Sequence, residues 1–375
     1  MIKIGITGQT GFIGTHLFNT LGLFPDKYVR IKFEDSYFQS DEKLESFVKE
    51  CDIIVHLAGM NRHNDPEVIY KTNIGLVNQL IGALEKTASL PYVLFASSTQ
   101  EERDNQYGKS KREGRELLEK WAVRNNAKFT GLVIPNVFGP FGNPYYNSVI
   151  ATFCHQLTHN ETPKIEVDGE IKLIYVAELV KEILSRIERN KVVASSEVVK
   201  VPYTSEIKVS ALLKLLEEIK NNYFTKGEIP DLSIAFERNL FNTFLTYVEH
   251  KTFFPFNLKL NTDQRGSFVE TIKLNSGGQV SFSTTVPGIT RGNHFHIRKA
   301  ERFAVIKGKA LIQLRRIGTS EILNFELSGD KPAFVDMPVW YTHNIKNIGD
   351  GELYTLFWIN EFYNPDDPDT FFETV

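Results

Sequence analysis

Residues 291–303 read RGNHFHIRKAERF. His294 and His296 stand one residue apart, and on an extended strand both side chains leave the same face. Glu301 opens the string ERFAVIKG, and His343 lies in PVWYTHNIKN. Three neutral imidazoles and a carboxylate suit Zn²⁺, Fe²⁺, Mn²⁺ or Ni²⁺. A lone histidine is ordinarily a packing or surface residue. Four donors at these intervals are better explained by a metal.

A second constellation lies near the start. TGQTGFIG (7–14) spaces its glycines G-x-x-G-x-x-G between an apolar run and an amphipathic one. Such a loop lets the backbone approach a pyrophosphate, and the helix after it offers unpaired N–H groups to the anion. Further on, Ser97 and Ser98 follow the apolar run YVLFA, and Tyr107 and Lys111 form an i, i+4 pair on one helical face. A serine at the strand end could hold a substrate oxygen. A neighbouring ammonium favours a phenolate, so Lys111 is expected to draw the Tyr107 pKa from ~10 toward neutrality, as suits a general acid or base. In YVRIKFED, Arg30 and Lys32 suit a 2′-phosphate and so NADP, whereas Glu34 suits a free ribose hydroxyl and so NAD. The expectation taken is NADPH, the usual reductant of a biosynthetic enzyme.

These groups need two kinds of scaffold. Strand-like runs (2–7, 28–33, 52–57, 92–96, 129–134) alternate with helix-like ones (15–23, 44–49, 68–86, 107–124). That pattern indicates an α/β, Rossmann-like, doubly wound parallel sheet covered on both faces. Beyond about residue 250, strand-like runs predominate (268–273, 279–285, 302–307, 309–315, 321–327, 352–359), with turn signals between them, as in a sandwich or barrel. HKTFFPFNLK (250–259) reads as a linker, giving domains 1–248 and 255–375. A chain of 375 residues is long for a single core. The net charge of −3 argues against a nucleic-acid partner. Cys51 and Cys154 make no disulfide framework, and no leader or ~20-residue apolar span is evident. A cytoplasmic protein without a membrane partner is expected.

The first 245 or so residues resemble the extended short-chain dehydrogenase/reductase family, which mostly acts on nucleotide-activated sugars. The resemblance rests on TGQTGFIG, HLAG (56–59), the paired serines, YGKSK (107–111) and IPNVFGP (134–140). It implies Ser98, Tyr107 and Lys111 as the catalytic trio. It implies that Gly8, Thr10, Gly11, Phe12, Ile13, Gly14, Leu57, Ala58, Gly59 and Pro135 surround the dinucleotide, together with Tyr107 and Lys111. Asn136 and the run Tyr146-Asn147-Ser148 would face the sugar nucleotide. Thr99 and Gln100 stand where the family's 4,6-dehydratases carry an acidic pair, so reduction or epimerisation is expected instead of dehydration.

Residues 255–375 resemble the cupin superfamily, an all-β double-stranded β-helix barrel. Gly288, His294, His296, Glu301 and Gly308 match its first motif, and 338–347 match the second, with Trp340 where glycine is common. DQRGSF (263–268) and ITRGNH (289–294) are also similar to the 3,5-epimerases of dTDP-4-keto-6-deoxysugars, which implies nucleotide contacts for Arg265 and Arg291. Tyr341 and Lys299 are candidate proton carriers. The pairing of these domains, in this order, resembles the bifunctional reductases of capsular polysaccharide synthesis. That implies a UDP-2-acetamido-2,6-dideoxy-4-hexulose, epimerised at C3 in the cupin and reduced at C4 with NADPH in the first domain, toward UDP-N-acetyl-L-fucosamine for capsule or O-antigen. It also implies zinc and a homodimer. The alternative is a UDP-sugar 4-reductase or 4-epimerase whose cupin is only a metal-stapled dimerisation module.

Overall fold

The computed structural model describes residues 1–189 and 195–375. They form two compact units that interleave along the chain. The first comprises Met1–Phe138, Gly142–Val149 and Gly169–Lys208, and the second Gly139–Phe141, Ile150–Asp168 and Val209–Val375.

In the first unit, strands β1 (Ile2–Thr7), β2 (Tyr28–Ile31), β3 (Ile53–His56), β4 (Tyr92–Ser98), β5 (Phe129–Ile134) and β6 (Ser196–Lys200) make a parallel sheet in the order β2-β1-β3-β4-β5-β6. Strand alternation gives each face its own core. Ile53, Val55 and Leu94 pack with Leu17 and Leu21 of helix α1 (Phe12–Gly22). Ile54, Val93 and Phe95 pack with helices α2 (Asp41–Glu50), α3 (Pro66–Thr87) and α4 (Gln106–Asn125) through Phe47, Leu80 and Trp121. Burial of both faces is why these strands read as unbroken apolar runs. The strand order turns back at β1, and that reversal leaves a crevice at the carboxyl ends of β1 and β3.

In the second unit, the strands are β7 (Gln279–Thr285), β8 (Thr290–Phe295), β9 (Glu301–Lys307), β10 (Lys309–Arg316), β11 (Ile322–Ser328), β12 (Ala333–Met337), β13 (Tyr341–Asn347), β14 (Leu353–Ile359) and β15 (Phe371–Phe372). One antiparallel sheet runs from Phe256–Asn257 through β12, β9 and β14 to β7; the other runs β11-β10-β13-β8-β15. Ala304, Phe334 and Leu353 of the first meet Ile312, Phe325 and Ile345 of the second in a common core.

Two helices that the sequence reading did not place, α5 (Val209–Lys226) and α6 (Ala235–Leu245), belong to this unit. The segment expected as a linker is packed. Phe254 is buried, Phe253 stacks on Tyr223 at 5.4 Å between ring centroids, and Phe256 stacks on Phe334 at 4.8 Å. Rings of that size are stable out of water, whereas a linker is solvated.

One ion pair ties α5 to the sheet. Arg302 on β9 faces Asp336 on β12, donating from Nε to Oδ1 at 2.7 Å and from Nη2 to Oδ2 at 2.8 Å. Tyr223 of α5 donates to the same carboxylate at 2.6 Å, and the guanidinium lies 3.5 Å over the Phe334 ring. Both charges are buried. Among the described residues no helix is long and apolar enough to cross a membrane.

Asp336→Ala should therefore cost about 3–5 kcal/mol in urea unfolding, because it strands the guanidinium, whereas Arg302→Met with Asp336→Leu should cost much less. Equal losses would mean that packing, not charge compensation, sets the value of this pair.

Candidate functional site

The turn from β1 into α1 is drawn tightly onto its surroundings. Gly8 has φ +69°, and a Cβ there would lie 2.8 Å from the Ala58 main chain; one on Gly14 would lie 2.2 Å from the Gly8 oxygen. No other residue fits without moving the backbone. The turn borders a cavity of about 380 Å³. Of the residues expected at a dinucleotide, Gly8, Gly11, Phe12, Ile13 and Gly14 line it, as do Leu57 and Gly59 beyond β3 and Pro135 beyond β5. Ser98, Tyr107, Lys111, Asn136 and Asn147 line it as well. Asn61 and Asn143, which the sequence reading passed over, also reach it, and Asn61 Oδ1 is buried without a hydrogen-bond partner. Their only signal was proximity to HLAG and YYNS. Thr10 and Ala58 stand beside the cavity without lining it.

Arg30 and Lys32 are not among the residues that line the cavity. Arg30 sits over the Phe18 ring, 4.2 Å from its centroid, and donates to the Phe18 oxygen at 3.2 Å. Lys32 pairs with Glu34 at 2.6 Å. The group that touches the glycine loop is Asp35, whose Oδ2 accepts from Thr10 Oγ1 at 3.3 Å.

Asn105 positions the tyrosine: its side chain caps the Gly108 N–H at 2.7 Å, which places Tyr107 in the first turn of α4. Ser98 hydrogen-bonds the phenol. Lys111 lies one turn on, buried, with Nζ donating to the Ala96 oxygen at 3.0 Å and 5.8 Å from the Tyr107 ring centroid. The tyrosine pKa is raised, not lowered. Burial pushes it up to about 12, outweighing the Ser98 hydrogen bond that draws it down. Burial likewise pushes Lys111 down to about 8, against the opposing charge of Glu101. The phenol thus keeps its proton at neutral pH and is poised as a donor. Behind it, buried Glu101 accepts from Ser97 Oγ and is held by Arg115 at 2.9–3.2 Å, joining α4 to the end of β4. Arg62 donates to the Tyr145 and Tyr146 oxygens and so holds the loop that carries Asn147.

In the second unit, His294, His296, Glu301 and His343 converge, and one ligand atom from each lies within 4.8 Å of the others. β8 and β13 bring His294 and His343 opposite one another, after a register shift that follows Gly292, and β9 of the other sheet supplies Glu301. Glu301 Oε2 lies 3.0 Å from His343 Nε2 and 3.3 Å from His296 Nε2. All three atoms are buried without a well-formed hydrogen bond. The other ring nitrogens explain the orientation. His343 Nδ1 bonds the Tyr341 oxygen at 3.2 Å, and His296 Nδ1 bonds the Asp369 oxygen. A carbonyl only accepts, so each Nδ1 carries its hydrogen and Nε2 faces the carboxylate. Burial would raise the Glu301 carboxyl, but pairing with His296 and then His343 holds it well below the usual carboxylate range. Burial, then the charges of His343 and His296, push His294 down to about 4, so it stays neutral. Orphaned donors aimed at one point fit a divalent ion.

Four further residues have contacts of their own. Arg291 donates to Thr285 Oγ1 and the Thr284 oxygen, both at 3.0 Å. Arg265 pairs with Asp263 in an exposed hairpin turn. Lys299 donates to the Pro368 oxygen at 2.7 Å, and Tyr341 packs on His250 and Phe141.

Known proteins place the chain closely. The NAD dependent epimerase/dehydratase family profile matches residues 4–201, and that of the polysaccharide biosynthesis C-terminal domain matches 261–371. The UDP-2-acetamido-2,6-beta-L-arabino-hexul-4-ose reductase of Pseudomonas aeruginosa is 32% identical over 99% of this chain and 98% of its own. The crystal structure of the capsular polysaccharide assembling protein CapF from Staphylococcus aureus matches over 100% of both chains at 36% identity and a TM-score of 0.62. RMD from P. aeruginosa, solved with NADPH, shares the fold alone, at 20% identity and a TM-score of 0.52 over 59% of this chain and 83% of its own.

The buried ammonium gives a stability test. Folding lowers the Lys111 pKa from 10.5 to about 8, so between those pH values the unfolded chain binds more protons and stability rises with pH. Below pH 8 both states are charged, and the folded one bears a constant penalty of about 3 kcal/mol. Lys111→Met should be the more stable protein at pH 7, by about 1–3 kcal/mol once its lost hydrogen bond is counted, with the gap closing toward pH 10. A gap independent of pH would show that Lys111 is not folded at a depressed pKa.

Proposed function

This chain belongs to the NAD dependent epimerase/dehydratase family, and from that premise we propose that it inverts C3 and then reduces C4 of a UDP-2-acetamido-2,6-dideoxy-4-hexulose. What supports this is that Ser98, Tyr107 and Lys111 line one cavity, while His294, His296, Glu301 and His343 converge in the other unit. The full-length P. aeruginosa relative is a hexul-4-ose reductase, which supports the keto-sugar as substrate.

In the first unit, Ser98 and Tyr107 donate hydrogen bonds to the C4 oxygen. Tyr107 passes its proton to that oxygen as C4 becomes an alcohol carbon. Gly8, Gly11 and Gly14 would hold a reduced nicotinamide dinucleotide, which would supply the hydride and be oxidised in turn. In the second unit, which we read as a cupin, His294, His296, Glu301 and His343 would hold a divalent ion, zinc on this reading, whose Lewis acidity polarises a carbonyl. The C3 proton is acidic because it neighbours the ketone; it passes to solvent, the electron pair is held as the enolate, and a solvent proton returns on the opposite face. The product toward which this leads is UDP-N-acetyl-L-fucosamine.

Reaction of this keto-sugar in heavy water tests the reading. Product deuterated at C3, with one reduced cofactor consumed per turnover and an enzyme-free control subtracted, is the expected result. Tyr107→Phe should slow reduction by roughly 10²–10⁴-fold while leaving C3 exchange intact. Reduction without deuterium would leave a plain 4-reductase and make the metal cluster a structural staple.

The cofactor is tested separately. Arg30 and Lys32 favour NADPH by charge, but Arg30 is bonded to the Phe18 oxygen and Lys32 to Glu34, whereas the Asp35 carboxylate beside Thr10 would repel a 2′-phosphate and accept from a ribose hydroxyl. Fluorescence titration should therefore show tighter binding of NADH than of NADPH, with the difference narrowed in Asp35→Ala. Tighter NADPH would restore the two basic residues as the phosphate site.

A further inference from the structure

The segment 368–375 is bound to the histidine cluster at several points, although it supplies none of its four donors. β15 pairs with His294 and Phe295 of β8. Beyond it, the Glu373 N–H donates to the Asn293 oxygen at 3.0 Å, and Thr342, next to His343, donates to the Glu373 oxygen. At the other end, Asp369 is buried, with φ +44°. Its carboxylate accepts the N–H groups of Ile297 at 3.2 Å and of Arg298 and Lys299 at 3.0 Å each. Its main-chain oxygen accepts from His296 Nδ1.

We propose that Asp369 is the positioning residue of the metal centre. Its carboxylate gathers the three N–H groups that follow His296, and this holds its own carbonyl on the His296 ring. That carbonyl fixes which nitrogen carries hydrogen and so directs Nε2 at Glu301. Neighbouring contacts place the same segment against His294 and His343, so one strap sets the spacing of all three imidazoles. A partner of this kind raises ligand basicity and reduces the reorganisation that metal binding requires. The inference rests on the reading of the cluster as a metal site.

The test uses the full chain, stripped with a chelator and titrated with Zn²⁺ against a chromophoric competitor. Wild type is expected to take one ion per chain, and His294→Ala with His296→Ala to lose it. Asp369→Ala should bind the ion about 10–100-fold more weakly. Asp369→Asn, which tolerates positive φ and keeps one acceptor oxygen, should recover part of that loss. A merely structural role would lower the melting temperature of the stripped protein and leave the zinc affinity alone. Wild-type affinity in both Asp369 variants would overturn the proposal while the metal site stood. No specific zinc binding by wild type would overturn the metal reading and this inference with it. If the alanine variant melts below the assay temperature, the asparagine variant decides, and unchanged affinity there overturns the proposal.

Discussion

Among the described residues, four carboxylates are withdrawn from water: Glu101, Glu301, Asp336 and Asp369. A buried carboxylate persists only where donors or positive charge replace its hydration, and each of these sites determines what lies around it. Glu101 has Arg115 and Ser97, and it fixes α4 beside the end of β4. Asp336 has Arg302 and Tyr223, and it fixes the strand whose first residue is Glu301. Asp369 has three backbone N–H groups. Glu301 differs, because its partners are imidazoles that can be neutral, brought to 3.0 and 3.3 Å of one oxygen. Three of the four are complete as they stand. The fourth is compensated by a proton on the histidines or by a cation among them, which makes it the candidate ligand site.

The same desolvation sets the chemistry of the other cavity. An ammonium beside a phenol lowers the phenol's pKa only if the ammonium stays charged and points at it. Here Lys111 is turned to the Ala96 oxygen, and its lowered pKa leaves it neutral at the high pH where the phenol would ionise. Burial then dominates at Tyr107, and the phenol retains its proton. A phenol that keeps its proton can donate it to an oxygen that gathers charge.

Much of this was legible in the residues. TGQTGFIG, YGKSK and the alternating apolar runs placed the parallel sheet and its crevice, because steric demand and periodicity act locally. The grouping of His294, His296, Glu301 and His343 was legible for the same reason, since donor chemistry narrows the choice of residue. What escaped was set by tertiary contact. β13 carries His343 but is buried on both faces, so it lacks alternation, and the sequence reading left it without a strand. The aromatic run 250–259 read as a linker because its partners, Tyr223 and Phe334, are distant in sequence. Charge alone does not say that Arg30 stacks on Phe18 and that Lys32 pairs with Glu34. Asp369 left no signal, since a carboxylate that caps backbone N–H groups belongs to no motif.

On the proposed reading, the order of the two steps follows from the substrate. The proton at C3 is acidic only while C4 is a ketone, so inversion has to precede reduction, and reduction then removes the acidity that would let the inversion reverse. The two steps ask for different scaffolds. A pyrophosphate is best met by helix N–H groups at the switch point of a parallel sheet, which the first unit provides at Gly8, Gly11 and Gly14. Imidazoles that converge on one point are best held on closely paired strands, which β8 and β13 provide, with a carboxylate facing them from β9. One fold does not offer both surfaces. A chain that carries both can make an unstable stereochemical change at one site and render it permanent at the other.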